Sequence, residues 1–124
     1  MEITILDTQK ASAKENMEID QKLLHHLDPS QLPILHLYEW EGDSATYGHF
    51  TKPENLLNMK EVNKRGLNLA KRISGGGMTF HFCDYAFSFL MPSKHPNFSN
   101  NTIENYRFVN QFVFQSVSKL IEEE

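Results

Sequence analysis

Residues 71–82, KRISGGGMTFHF, place two cations, a serine hydroxyl, three consecutive glycines and an imidazole in one short run. Half of the six glycines in the 124-residue chain fall there. Consecutive glycines let a backbone approach a ligand closely, and their amides can converge on negative oxygens. Lys71 and Arg72 add positive charge beside them, so the chemistry suggested is the binding of a phosphate or carboxylate. The familiar phosphate loops fit poorly. A Walker loop needs Lys and then Ser or Thr after its last glycine, opening a helix. Here Met78-Thr79-Phe80 follows, with strand character. A dinucleotide fingerprint spaces its glycines G-x-G-x-x-G. Taken alone, GGG reads more simply as a flexible hairpin turn, and a lone His81 on a strand as an ordinary hydrogen-bonded histidine.

Other reactive groups are few. Cys83 is the only cysteine, so the chain can form neither an internal disulfide nor a multi-cysteine zinc site. Asp84 beside it opposes thiolate formation, and a cysteine on a strand usually serves as a small apolar residue. The six histidines are scattered. His25 and His26 lie near the C-terminus of a predicted helix, where imidazolium charge suits the dipole.

The elements that must position these groups are of both types. ITIL, residues 3–6, reads as a short strand. Ser12 with Glu15 makes a capping-box pattern opening a helix through about Leu27, with Ala13, Met17, Leu24 and Leu27 near one face. Asp28-Pro29 stops it. PILHLYEW and SATYGHF read as strands separated by EGD. PENLLNMKEVNKRG reads as a short helix ending at Gly66, with Lys64 and Arg65 in its last turn. LNLAKR leads as a strand into the glycine run, and MTFHF and YAFSFLM are strands beyond it. Asn101 caps a last helix, with Glu104 reaching back to it. Tyr106, Val109, Val113, Val117 and Leu120 give that helix an apolar stripe. IEEE then places carboxylates at its negative pole.

Length and composition limit the answer to one small domain with one core. Hydrophobic content of 40% and charged content of 23% are those of a globular chain. A net charge of −4 argues against a nucleic-acid partner. No apolar run approaches the roughly 20 residues that span a bilayer, and MEITILDTQK lacks an export-signal pattern. The expectation is a cytoplasmic protein with no membrane partner.

KRISGGGMTFH resembles the RRxSGGGxVxH segment of the lipoate-protein ligase and octanoyltransferase family, which shares its catalytic fold with biotin-protein ligases. SAKENMEIDQKLL resembles that family's first helix, LYEWEGDSATYGHFTKPENLLN its strand pair and short helix, and NYRFVNQFVFQSV the helix after the glycine loop. The resemblance covers nearly the whole chain in the right order. It implies an α+β fold, with a mixed, largely antiparallel sheet and packed helices, related to class II aminoacyl-tRNA synthetases. Residues 1–124 would be a single, partial catalytic domain, an N-terminal portion without its downstream part.

The activity implied is that of a lipoate-protein ligase. Such an enzyme activates lipoate or octanoate with ATP and Mg2+ to an acyl-adenylate, then transfers the acyl group to a lysine of an acceptor protein. Acceptors are the E2 lipoyl domain of 2-oxoacid dehydrogenases and the glycine-cleavage H protein. An octanoyltransferase drawing on acyl carrier protein is the alternative, as is a non-catalytic relative that binds a ligand or partner. Carried over by position, Arg72, Gly77, Met78, Thr79 and Phe80 match nucleotide-contacting residues. Lys71, Ser74, Gly75, Gly76 and His81 would line the substrate pocket. Trp40 and Tyr47, with Tyr38 and Phe50, would form the slot for an eight-carbon chain, gained at about 0.8 kcal/mol per buried methylene.

The chain departs from the pattern at several points. Lys71 stands where an arginine is usual, which loses one planar fork. Thr51 replaces a frequent glutamine, and HFCDYAFS a more typical His-Asp-Leu-Gly-Asn run. The family's catalytic lysine lies downstream of the last helix. Lys119 is not at its place, and Cys83 does not match the octanoyltransferase cysteine, so no residue here is assigned the transfer step. Exposed sheet edges and an uncovered helix stripe would favour a homo-oligomer.

Overall fold

The computed structural model describes residues 1–122, and in it Ser12 closes one element and opens the next. Its hydroxyl accepts from the Glu15 N–H while the Glu15 carboxylate accepts from the Ser12 N–H, the expected capping box. Helix α1 (Ala13–His25) therefore starts directly after strand β1 (Thr4–Ala11). The strand is longer than ITIL because it pairs in parallel along nearly all of β2 (Ile34–Trp40). A bulge between Asp7 and Lys10 absorbs a register shift. At its centre Gln9 adopts φ 58°, with its N–H held by Asp7 Oδ1.

The buried face of α1 is Ala13, Asn16, Met17 and Asp20, not the expected leucine continuation; Leu24 is 49% exposed. Polar burial is possible here because most of these polar atoms find partners, Asn16 Oδ1 being left without one among the described residues. Asn16 Nδ2 donates to the carbonyls of Ala11 and Glu39. Asp20 takes one hydrogen bond from the wholly buried His36 at 2.7 Å and another from the Ser88 hydroxyl. His36 Nε2 meets Thr8 Oγ1 at 2.7 Å, so the network ties β1, α1, β2 and β6 (Tyr85–Leu90) together.

Strands β2 and β3 (Ser44–Tyr47) do not share a sheet. One sheet has the order β1-β2-β6, with β6 antiparallel to β2. The second has the order β4-β3-β5, in which β4 (Asn68–Lys71) runs parallel and β5 (Met78–His81) antiparallel to β3. The class is α+β with mixed sheets, and its four pairings divide evenly between parallel and antiparallel. Each parallel pair is joined through helix, as parallel strands require a crossover. The β3–β4 crossover contains one 3-10 turn (Pro53–Asn55) and helix α2 (Met59–Arg65), two pieces where one helix was expected. Asn58 caps α2 by accepting from the N–H groups of Lys60 and Glu61, and Gly66 ends it at φ 65°.

Ala13, Met17, Tyr38, Trp40 and Ala70 form the core between α1 and the two sheets. His36, Tyr38 and Trp40, at alternate positions of β2, pack in sequence with centroids 4.6 and 5.3 Å apart, the first pair tilted and the second edge-to-face. Trp40 then stacks on His81 of the other sheet at 3.9 Å. That contact carries the glycine loop's strand onto the core.

Helix α3 (Thr102–Glu122) begins at Asn101, whose Oδ1 accepts from the Ile103 N–H. Glu104 does not return to Asn101 as expected; its carboxylate takes the Ser99 hydroxyl, and the Asn101 N–H donates to Ser99 Oγ. Among the described residues α3 buries none of its side chains; Tyr106, Val113, Val117 and Leu120 of the expected stripe are exposed. The expected carboxylates at its end fall partly on Glu123 and Glu124, outside the described residues. Among the described residues no helix is long and apolar enough to cross a membrane.

Candidate functional site

The glycine loop links the two strands that flank β3, so it must cross the end of β3. It is docked there on both sides. The Arg72 N–H donates to the Tyr47 carbonyl, the Gly48 N–H to Gly77, the His49 N–H to Ser74, and the Thr51 hydroxyl to Gly76. The approach is so close that a Cβ on Gly48 would collide with backbone of the loop.

Arg72 holds the loop from the other direction. Its Nη2 donates to the carbonyls of Gly75 at 3.0 Å and Gly77 at 2.8 Å, and its Nη1 to Thr46 Oγ1 at 3.0 Å. Three of its five N–H donors are thus committed to the protein. All four carbonyls from Ser74 to Gly77 accept hydrogen bonds. Among the described residues, the N–H groups of Gly75, Gly76 and Gly77 find no acceptor. A Cβ on Gly75 or Gly77 would meet nothing within 4 Å, whereas Gly76 sits at φ 95°, where only glycine is comfortable. The loop's carbonyls are therefore all engaged, two of them by the Arg72 guanidinium, and its exposed edge is left with three amides that have no acceptor among the described residues. Such an edge can receive carboxylate, phosphate or developing oxyanion charge.

His81 is buried behind the loop, with Nδ1 2.7 Å from Asp84 Oδ2 and Nε2 3.0 Å from Thr46 Oγ1. Desolvation pushes the Asp84 carboxyl up. The hydrogen bond from His81, one from its own backbone and the charge of His81 outweigh that, holding Asp84 below the usual carboxylate range.

The sequence-derived residues fall into three groups. Arg72, Ser74, Gly75, Gly76, Gly77 and His81 are brought together by the loop and the strand that follows it. Met78, Thr79 and Phe80 continue into β5, opposite Tyr47, Thr46 and Ala45, and Lys71 ends β4 opposite Tyr47. The aromatic slot is not formed as expected. Tyr38 and Trp40 are consumed by the core, Tyr47 is half-buried, and Phe50 is 90% exposed. Packing against α1 competes successfully for β2's aromatic face.

Thr46, Gly48 and Asp84 were missed. An isolated glycine just after a strand is itself a signal of close backbone approach, so Gly48 was findable. Nothing in the chain order marks Thr46 or Asp84, which act through partners 26 and 35 residues, or three, away.

The glycine loop closing over a mixed sheet, with helix α1 against the core, is the architecture of a biotin/lipoate-ligase type catalytic domain. A lipoate-protein ligase A bound with ATP superposes with TM-score 0.66 and 26% identity, over 72% of this chain and 36% of that one. A bi-partite lipoate protein ligase from Thermoplasma acidophilum, described with its E2 lipoyl domain, gives the same score and identity over 72% and 35%. The chain belongs to the lipoyl protein ligase A/B catalytic domain family, whose model matches residues 12–123. Among curated relatives, octanoyltransferase LipM of Bacillus cereus is 29% identical over 107 residues, covering 86% of this chain and 38% of its own length. LipM of Lysinibacillus sphaericus is 27% identical over 116 residues, covering 93% and 42%. The chain thus spans about two-fifths of the length of these relatives. The sequence alone put the ATP-using ligase first; the curated relatives named here are octanoyltransferases and the solved neighbours lipoate-protein ligases.

Proposed function

We propose that this chain supplies the acyl-binding loop of an enzyme that transfers an octanoyl or lipoyl group to a protein lysine. One observation carries the reading: three consecutive exposed glycines have amides without acceptors among the described residues, while every loop carbonyl is tied back, two of them by the Arg72 guanidinium. In an octanoyl transfer the acceptor amine replaces the donor's thiol, converting a thioester to an amide and releasing the thiol. Negative charge grows on the acyl oxygen as the amine adds, and preorganised N–H donors stabilise it at no reorganisation cost. Arg72 and the amides of Gly75 to Gly77 serve that role. Ser74 and His81 bound the pocket, with Lys71 adding charge at its rim. No residue of this chain is assigned the nucleophilic step.

Octanoyl transfer from acyl carrier protein is the leading form of this reading, supported by likeness to LipM. The second form is ATP-dependent ligation, supported by likeness to the ATP-bound ligase. There Arg72 and residues Gly77 to Phe80 would hold the nucleotide, and the same amides would neutralise two anions brought together. Among the described residues no three His, Cys, Asp or Glu side chains converge as a metal site, so no step is assigned to Mg2+. The acceptors proposed are an E2 lipoyl domain, as accompanies the archaeal neighbour, and the glycine-cleavage H protein, in the cytoplasm.

The test uses the full-length gene product with an acceptor domain, octanoyl–acyl carrier protein in one reaction and octanoate with ATP in another. Acceptor mass rises by one octanoyl group with the first donor, and Arg72→Ala abolishes the gain. Modification only with octanoate and ATP establishes the ligase form. No modification with either, or an Arg72→Ala variant as active as its parent, overturns the reading.

A further inference from the structure

Thr46, at the centre of β3, is only 2% exposed, yet its hydroxyl is 3.0 Å from both Arg72 Nη1 and His81 Nε2. The proposed acyl transfer assigns it no role. We propose that Thr46 is the positioning residue of the acyl-binding loop, transmitting the orientation of the His81–Asp84 pair to Arg72 and through it to the Gly75 and Gly77 carbonyls.

Proton inventory makes the chain of bonds one-directional. A guanidinium only donates, so Thr46 Oγ1 accepts from Arg72. The hydroxyl has one proton left to give, and His81 Nε2 is its partner. The imidazole must then carry its proton on Nδ1, which is where the Asp84 carboxylate stands 2.7 Å away. The order is Arg72 to Thr46 to His81 to Asp84, each group donating to the next and none left unpaired. The opposite tautomer would set Nε2–H and the Arg72 N–H against one oxygen and leave Nδ1 facing a carboxylate without a proton.

The far end of Arg72 gives the arrangement its consequence. The same guanidinium plane that meets Thr46 reaches Gly75 and Gly77, so fixing Nη1 fixes where Nη2 draws the loop carbonyls. With those carbonyls tied back, the glycine amides face outward. Valine at position 46 keeps the volume and β-branching but removes both bonds, while serine keeps both. The inference rests on the acyl-binding reading of the loop, but its main readouts need no ligand.

The experiment is nitrogen-15 spectroscopy of histidine-labelled chain together with amide exchange at Gly75 to Gly77. In the parent at mildly alkaline pH, His81 is expected as the Nδ1–H tautomer with Nε2 accepting. Thr46→Val should shift the Nε2 resonance and speed exchange at the loop by about tenfold, with α1 amides unchanged; Thr46→Ser should restore both. An Nε2–H tautomer in the parent overturns the proposal without recourse to any variant. So does a Thr46→Val loop that exchanges like the parent's, or a Thr46→Ser loop as fast as the valine variant's. A non-hydrolysable octanoyl-sulfamoyl adenosine then probes binding, with about tenfold loss expected in Thr46→Val. Parent chain that fails to bind this probe counts against the adenylate-binding form of the function, while the tautomer and exchange results still decide the role of Thr46.

Discussion

A Cβ on Gly48 would stand 2.0 Å from the Gly76 carbonyl oxygen, with two further loop backbone atoms at 2.8 Å. Real side chains do not tolerate such distances, and the neighbour is backbone and not a mobile side-chain tip. The glycine after β3 and the glycine of the motif are therefore two halves of one fit.

Gly48→Ala should lift the loop from β3, costing about 1–3 kcal/mol in urea unfolding and accelerating amide exchange from Ser74 to Met78. Gly75→Ala, where a Cβ meets nothing, should stay within about 0.5 kcal/mol of the parent. Equal stability of the two variants would contradict the close fit.

Asp20→Ala should leave the wholly buried His36 Nδ1 without its acceptor, while the half-buried Ser88 hydroxyl keeps Tyr38 as a neighbour. The expected cost is about 1–3 kcal/mol, from the stranded imidazole. Asp20→Asn, which retains an acceptor, should cost less. Chemical denaturation measures both, and an alanine variant as stable as the asparagine variant would remove the network from any account of this fold.

The acid limb of stability should contain a contribution from Asp84. Its pKa is lowered in the folded chain, so its stabilisation is present above the ordinary carboxylate value of about 3.9 and is lost as pH falls through the lower folded value. The difference in urea midpoint between parent and Asp84→Asn should shrink as pH falls below about 4. A difference that grows on acidification would reverse the sign and refute it.

At the alkaline end Tyr38 is the group to watch. Burial pushes its phenol up to about 12 against the opposing Ser88 hydrogen bond, with lesser contributions from the Asp20 carboxylate, which raises it, and Arg72, which lowers it. Because the folded value lies above the unfolded one, the contribution holds below about pH 10 and fades as pH rises through the folded value. Absorbance titration near 295 nm should show a late tyrosine step that Tyr38→Phe removes. Complete ionisation of the parent's tyrosines by about pH 11 while folded would be incompatible with this burial.

Most of the framework was legible in the chain. The capping box at Ser12 and Glu15, the Gly66 stop and the strands flanking the glycine run rest on local rules, and local rules need only neighbours in sequence. The motif from Lys71 to His81 was likewise visible because its chemistry is concentrated in consecutive residues. Leu24 and the aromatic slot were misjudged for a common reason. Hydrophobicity says that a side chain will be buried somewhere but not against what, and α1 spent its sheet-facing positions on Asn16 and Asp20.

The sequence by itself determined the elements, the family likeness and the position of the glycine loop among the strands. Only the tertiary structure decided which way that loop faces. Its carbonyls are turned inward by Gly48, Thr51 and Arg72, and Arg72 is set by Thr46 and His81, residues that chain order keeps apart. Hydrogen bonds are short and directional, and their partners meet only after β3 has taken its place between β4 and β5.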